Sequence, residues 1–265
     1  MINHIPEDMT CTVDASITLA QLQARVGERG QWLPIDPPLA DKLSIGELLA
    51  TNVSGPRRFG CGTIREHVLG MKIRLADGRV IKSGGQVVKN VAGYDLCRLF
   101  IGSRGTLGEI VEATFKLRPL PEVERFVQRR CESLERAGEV IEAVIETEVT
   151  PVVLDLCSPA VVVVGFAGTR EEVEWQLSRV AELGIREPSS LDYNHPMPQK
   201  TSVLPSRLVE TLRKLGNATF IARAGNGVIY HDGDPMPRKQ ELTAKLFERV
   251  KAAYDPHNAL PKLTL

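Results

Sequence analysis

Gly84-Gly85-Gln86-Val87-Val88-Lys89-Asn90-Val91-Ala92-Gly93-Tyr94-Asp95-Leu96, followed by Gly102-Ser103-Arg104-Gly105-Thr106-Leu107-Gly108, is the stretch on which the reading of this chain turns. Packing alone seldom needs so many glycines and small polar residues together. Glycine lets a large ligand approach the backbone closely, and amide groups exposed in such turns can cradle a phosphate. The spacing matches neither the dinucleotide fingerprint G-x-G-x-x-G nor the P-loop G-x-x-x-x-G-K-[ST].

Working outward, residues 57–104 hold ten Lys/Arg against three Asp/Glu, although the whole chain is balanced at 33 of each. An anion site is one reading of that local excess; a solvated basic face is the other. The global balance argues against nucleic acid as a partner. With 265 residues the chain can bury a substantial core and divides into two domains on length alone. Five scattered cysteines, Cys11, Cys61, Cys97, Cys131 and Cys157, form no C-x-x-C pair and give no disulfide framework or metal cluster. Residues 1–10 lack an apolar leader core, and no apolar run can span a bilayer. A cytoplasmic protein is expected, peripheral to a membrane only through partners.

Thr18 with Gln21 and Ser44 with Glu47 have capping-box spacing ahead of apolar residues at helical period. Residues 71–75 and 79–82 read as strands joined by Asp77-Gly78, a good hairpin turn. A short helix over 95–100 and a half-buried strand over 110–117 follow. Arg118-Pro119-Leu120-Pro121 interrupts both patterns and sets the expected boundary between domains 1–120 and 121–265. Beyond it, 152–157, 160–166, 220–223 and 228–230 are strand-like, 170–183 and 239–253 helical, 191–199 an irregular loop, and Pro205 suits a helix start. The expected fold class is α+β, with an antiparallel or mixed sheet covered by helices.

At the glycine region the chain resembles the FAD-linked oxidase superfamily with the vanillyl-alcohol-oxidase, or PCMH, type of flavin domain. Within it the likeness is to the FAD-binding E subunits of bacterial glycolate oxidase. The opening stretch carries the resemblance with Asp8, Gly30, Gln31-Trp32-Leu33-Pro34, Asp36-Pro37-Pro38, Asn52-Val53-Ser54-Gly55-Pro56-Arg57-Arg58-Phe59-Gly60 and Val68-Leu69-Gly70, almost continuously over residues 8–121. The resemblance implies a shortened PCMH-type FAD-binding domain followed by a smaller α+β domain for substrate or subunit association. Ser54, Gly55 and Gly60 become candidates for the pyrophosphate and isoalloxazine. Gly84, Gly85, Gly93, Gly102, Ser103, Gly105, Thr106, Gly108 and Ile110 would shape the rest of the cradle, the 103–110 segment on the adenosine side. Arg57, Arg58 and Arg104 are candidates for charge compensation.

Members of the superfamily carry, ahead of the position of Asp8, two strands around a glycine-rich loop that binds the pyrophosphate. The sequence in hand begins after that point and reads as N-terminally shortened. Tyr254-Asp255-Pro256-His257-Asn258-Ala259-Leu260 resembles the terminal motif, but Pro261-Lys262-Leu263-Thr264-Leu265 replaces its usual Asn-Pro-Gly-Lys.

Catalytic residues are not assigned by the sequence. Arg223 stands where hydroxy-acid-oxidising members tend to have histidine; a carboxylate clamp and a salt bridge at a strand end are both open readings. His231 and His67 read as surface groups, Asp155 as an outward-facing residue of an apolar strand, and Cys61 and Cys97 as small buried side chains. Trp32 reads as a packing residue. Lys89 and Tyr94 each stand between a cofactor role and an ordinary one. No metal site is expected. The resemblance implies an FAD-binding subunit that works with a D-like flavoprotein and an F-like iron–sulfur subunit to oxidise 2-hydroxy acids. A stand-alone FAD-dependent oxidoreductase and a noncatalytic scaffold remain the alternatives.

Overall fold

The computed structural model describes residues 1–85, 96–236 and 241–262, the side chains of 241–245 apart. A first antiparallel sheet runs in the order β1 (Ile2–Ile5), β2 (Thr10–Asp14), β6 (Glu109–Lys116), β4 (Val68–Arg74) and β5 (Val80–Gly84). The expected hairpin is there: Leu75 and Arg79 close it through Leu75 N to Arg79 O, with Asp77-Gly78 at its tip. Strands β3 (Gln31–Trp32) and β7 (Arg118–Pro119) pair apart from this sheet.

Helices α1 (Leu19–Gly27) and α2 (Ile45–Thr51) start where the sequence places them. Thr18 Oγ1 accepts from the Gln21 amide at 3.2 Å, and Gln21 Oε1 accepts from the Thr18 amide at 2.9 Å. Ser44 and Glu47 repeat the exchange, so each box satisfies two amides the helix itself leaves unpaired. Ile45, Leu48 and Leu49 then turn α2 fully into the first core, each such burial contributing about 1.5–3 kcal/mol. Three single-turn helices, α3 (Arg58–Cys61), α4 (Ile64–His67) and α5 (Cys97–Phe100), complete the first half.

The second antiparallel sheet has the order β11 (Glu187–Pro188), β8 (Val123–Arg130), β10 (Val161–Gly168), β9 (Val153–Cys157), β13 (Phe220–Arg223), β14 (Val228–His231) and β12 (Gln199–Ser202). Its central strands read as near-continuous apolar runs because helices α6 (Leu134–Glu146), α7 (Arg170–Glu182) and α8 (Leu208–Lys214) feed side chains into the same core. The last helix, α9 (Glu241–Tyr254), crosses back. Its Phe247, Val250 and Tyr254 pack on the first core, Tyr254 edge-on to Phe100 with ring centroids 5.5 Å apart. Among the described residues no helix is long and apolar enough to cross a membrane.

Candidate functional site

The segment that links α2 to α3 sits between the two cores. Asn52 ends α2 in the left-handed region, at φ 50°, with its amide on Leu48 O. Gly55 then lies hard against Asp36: a Cβ built there would stand 1.8 Å from the Asp36 carbonyl oxygen. The Arg57 amide donates to both Asp36 carboxylate oxygens, at 3.1 and 3.2 Å. The Arg57 guanidinium bridges Asp36 (2.9 Å) and, through two bonds of 3.0 and 2.7 Å, Glu124 at the start of the second sheet. Trp32 and Phe126 flank it, each ring centroid 5.6 Å from the guanidinium carbon. Burial pushes the Asp36 carboxyl up to about 6, against the pull of Arg57. Arg57 is thus committed to protein carboxylates. Gly60 backs onto Val152, whose Cα a side chain would meet at 2.7 Å.

The turn after α5 is the other half of the site. Gly102, Arg104 and Gly105 all have left-handed backbone, at φ 84°, 54° and 73°, a run that glycine makes affordable at two of three positions. The Gly102 and Arg104 amides fasten the turn to the end of α2 through Leu49 O (2.9 Å) and Ala50 O (2.8 Å). Ser103 and Thr106 are buried, and the Thr106 amide and hydroxyl both donate to Ser103 O, at 3.0 and 2.6 Å. Gly108 faces Ile73, 2.6 Å from where a Cβ would sit, and Ile110 continues into β6 opposite Ile73.

Between this turn, α2 and the end of β2 opens a groove of about 640 Å³, lined among others by Ala15, Gly46, Arg104, Gly105, Gly108, Ile110 and Leu260. Its three carboxylates are occupied locally. Asp14 is held below the usual range by the Ser16 hydroxyl and amide, and Glu47 by the Ser44 amide and hydroxyl. Glu109 pairs with Arg74 at 2.6 Å. At the hairpin end, Gly84 has φ 74° and would place a Cβ 2.2 Å from Leu69 O, while the Gly85 amide donates to that same oxygen. Gly93, with Lys89 and Tyr94, lies outside the described residues.

These features fit a flavin nucleotide. Ser54 Oγ and Asn52 Oδ1 are buried without a protein partner, an arrangement that normally calls for a ligand or water. Space around Gly105 is open, with no atom within 4 Å of a Cβ placed there. Of the expected cradle residues, Gly105, Gly108 and Ile110 line the groove, Gly102, Ser103 and Thr106 build its turn and Ser54 lies just past α2, while Gly55, Gly60, Gly84 and Gly108 also answer to the protein's own close packing.

Arg223 is buried and engaged. It pairs with Asp155, its direct cross-strand neighbour, donates from Nη2 to Asn194 Oδ1 at 2.8 Å and lies 5.5 Å over the Tyr230 ring. Tyr193 donates to the same Asp155 carboxylate at 2.8 Å, and Asn194 Nδ2 reaches Asp36 O at 3.0 Å. Burial raises the Asp155 carboxyl, with Arg223 opposing. Three sequence readings are corrected here. Asp155 is fully buried rather than outward-facing, because Arg223 and Tyr193 supply its partners. His231 is fully buried beside Thr201, with Nε2 and Oγ1 3.2 Å apart, and not at the surface. His67 is likewise buried, donating from Nε2 to Cys61 O at 2.9 Å, and burial lowers its pKa. Cys61 and Cys97 are buried, as their composition suggests. Tyr193, Asn194 and Lys251 escaped the sequence reading, and Asp255 entered it only as part of the terminal motif; the spacing of Lys251 and Asp255, four apart at a helix end, was there to flag the pair.

Residues 1–84 match the model of an FAD binding domain. The chain is 35% identical over 159 residues to glycolate oxidase subunit GlcD of Bacillus subtilis, covering 60% of this chain and 34% of that protein. It is 35% identical over 143 residues to glycolate oxidase subunit GlcE of Escherichia coli, covering 54% and 41%, and 40% identical over 116 residues to the mitochondrial D-lactate dehydrogenase [cytochrome] of Arabidopsis thaliana, covering 44% and 20%. It thus spans well under half the length of these relatives. The solved structure of alkyldihydroxyacetonephosphate synthase superposes on 98% of this chain and 64% of its own, with a TM-score of 0.72 at 17% identity, a likeness of fold. Residues 1–84 thus carry the pattern of an FAD binding domain, and the chain is similar in sequence to several 2-hydroxy-acid oxidases and dehydrogenases.

Proposed function

We propose that this chain is an FAD-binding subunit of a glycolate-oxidase-like complex that converts 2-hydroxy acids to 2-oxo acids, working beside a catalytic D-like flavoprotein and an F-like iron–sulfur subunit. The observation that carries the reading is the groove between α2 and the 102–108 turn, lined by Gly105, Gly108 and Ile110, together with the buried, unpartnered Ser54 hydroxyl just past the end of α2. In this reading 1–120 form the flavin portion and 121–265 the substrate-type or association portion, with α9 returned to the first core. FAD, when bound, supplies the chemistry by accepting the two electrons released as the 2-hydroxy carbon becomes a 2-oxo carbon. The chain's own part is positional: the open backbone at Gly105 leaves room for the nucleotide, and the Arg57 bridge fixes the Ser54 segment. Arg223 is tied to Asp155 and Asn194, which favours an auxiliary flavin over an independent active site.

A noncatalytic scaffold is the second reading. It draws on the packing roles of Gly55, Gly60, Gly84 and Gly108, which need no ligand. Purified chain is mixed with FAD, desalted, and its visible absorbance and flavin fluorescence recorded. Near-stoichiometric retention supports the flavin subunit; retention of none sinks it and leaves the scaffold.

A further inference from the structure

We infer that Lys251 and Asp255 are positioning residues of the groove: they fasten Leu260 and Pro261 to the Thr106 turn so that both segments form one wall. The inference rests on the flavin reading above. Lys251 lies in the last turn of α9 and is only 8% exposed. An ammonium has three N–H donors, and all three have protein acceptors. One is Asp255, the second Thr106 O at 2.8 Å, and the third Leu260 O at 3.2 Å. Asp255, 1% exposed, in turn accepts the Ala259 amide at Oδ1 (2.8 Å) and the Leu260 amide at Oδ2 (2.9 Å).

The geometry points to holding rather than ligand contact, since no donor of Lys251 is left over. What it holds is specific. Thr106 follows Gly105 directly, and Gly105, Leu260 and Pro261 all line the groove. A buried ion pair is a poor device for stability alone, because apolar residues of like volume serve as well. Here Lys251 reaches Thr106, 145 residues earlier in the chain, and ties it to Leu260, beside the residues of both segments that line the cavity. The wall belongs to the 103–110 side, so a ligand bearing adenosine diphosphate is the one that senses it.

The test uses the full chain with FAD and with ADP as probes, titrated calorimetrically against wild type, Lys251→Met, Lys251→Arg and Asp255→Asn. Amide exchange is followed at Ala259 and Leu260 and, as a reference, along β9 and β10. Loss of charged hydrogen bonds at the wall is expected to weaken FAD and ADP alike by about tenfold in Lys251→Met and Asp255→Asn. Lys251→Arg recovers most of that loss. Exchange rises at Ala259 and Leu260 and stays at the wild-type level in β9 and β10. If Lys251→Met fails to fold, Asp255→Asn, which keeps the side-chain shape, carries the same comparison. Wild-type affinity in variants whose Ala259 and Leu260 amides have become exposed overturns the inference alone, as does a rise in exchange throughout the chain. A wild-type chain that binds neither probe overturns the flavin reading, and this inference with it.

Discussion

Replacing Gly55 by alanine separates what the glycine does for the protein from what it does for a ligand. The added methyl would lie 1.8 Å from Asp36 O, 2.4 Å from its carbon and 2.4 Å from Oδ1. Ordinary contact begins near 3.4 Å, so the backbone at Gly55 or Asp36 must retreat by roughly 1.6 Å. The obstacle is main chain held on both sides. Asp36 O accepts from Asn194, and its carboxylate accepts the Arg57 amide. Overpacking of this kind costs about 1–3 kcal/mol, and a strained amide-to-carboxylate bond adds about 1.5–3 kcal/mol. For a chain of this size a loss of about 3–4 kcal/mol lowers the melting temperature by roughly 6–16 °C. Thermal and urea unfolding of apoprotein and variant read this directly, with no FAD present. A Gly55→Ala apoprotein within about 0.5 kcal/mol of wild type refutes the packing argument. If such a protein also lost FAD binding, the residue would be a ligand glycine.

Arg57→Ala leaves Asp36 and Glu124 facing an apolar surround without their counterion, and about 3–5 kcal/mol of stability is expected to go, measured by urea unfolding at pH 7. The same loss should be smaller at pH 5, where Asp36, at about 6, takes up a proton. Asp36 has a folded pKa raised above its ordinary 3.8, so its contribution is full below about pH 4 and is lost as pH rises through about 6. That gap corresponds to about 3 kcal/mol, and Asp36→Asn should flatten the stability curve across the window. An unchanged slope refutes the assignment. His67 works in the opposite sense, its burial disfavouring the imidazolium as pH falls, which is why the variant and not the bare curve is the test. Gly105→Ala meets no atom; only the left-handed backbone at φ 73° is penalised, by about 1–2 kcal/mol, and a larger loss in unfolding experiments would reveal a contact the structure lacks.

Local chemistry was the legible part of the fold. The Thr18 and Ser44 boxes, the Asp77-Gly78 hairpin and the apolar run of β10 each act within a few residues, so the sequence displays cause and effect side by side. Strands β1 and β8 were not legible in the same way. β8 carries Glu124, Arg125, Gln128, Arg129 and Arg130 on a half-buried strand, a composition that reads as surface until β10 and β11 are seen to flank it. Helix α6 has a full signal, with Ser133 as cap and Ala137, Val140, Ile141 and Val144 buried, yet it follows directly on that charged run. In the site, glycines and small polar residues could be picked out, but not which of them the protein itself demands. Gly55 needs Asp36, and Gly60 needs Val152, a partner more than 90 residues away. Asp155 misled for the same reason: a charged residue in an apolar strand signals a buried partner, but Arg223 lies 68 positions downstream.

The return of α9 to the first core has a consequence for the order in which the molecule can be made. Phe247, Val250 and Tyr254 cover a surface assembled from residues synthesised more than 100 positions earlier, and Lys251 reaches Thr106 O across a separation of 145. During translation the first sheet is therefore complete in its strands while one flank still lacks its cover. The second sheet, whose strands and helices are nearly contiguous in the chain, can close beforehand. Nascent chains arrested before residue 241 should resist protease over 121–231 and be cut in the first half, and only release of the C-terminus should protect both. In such a chain the groove between α2 and the 102–108 turn is the last part to mature, so a polypeptide released early exposes apolar surface, and quality control has a clear mark by which to recognise it.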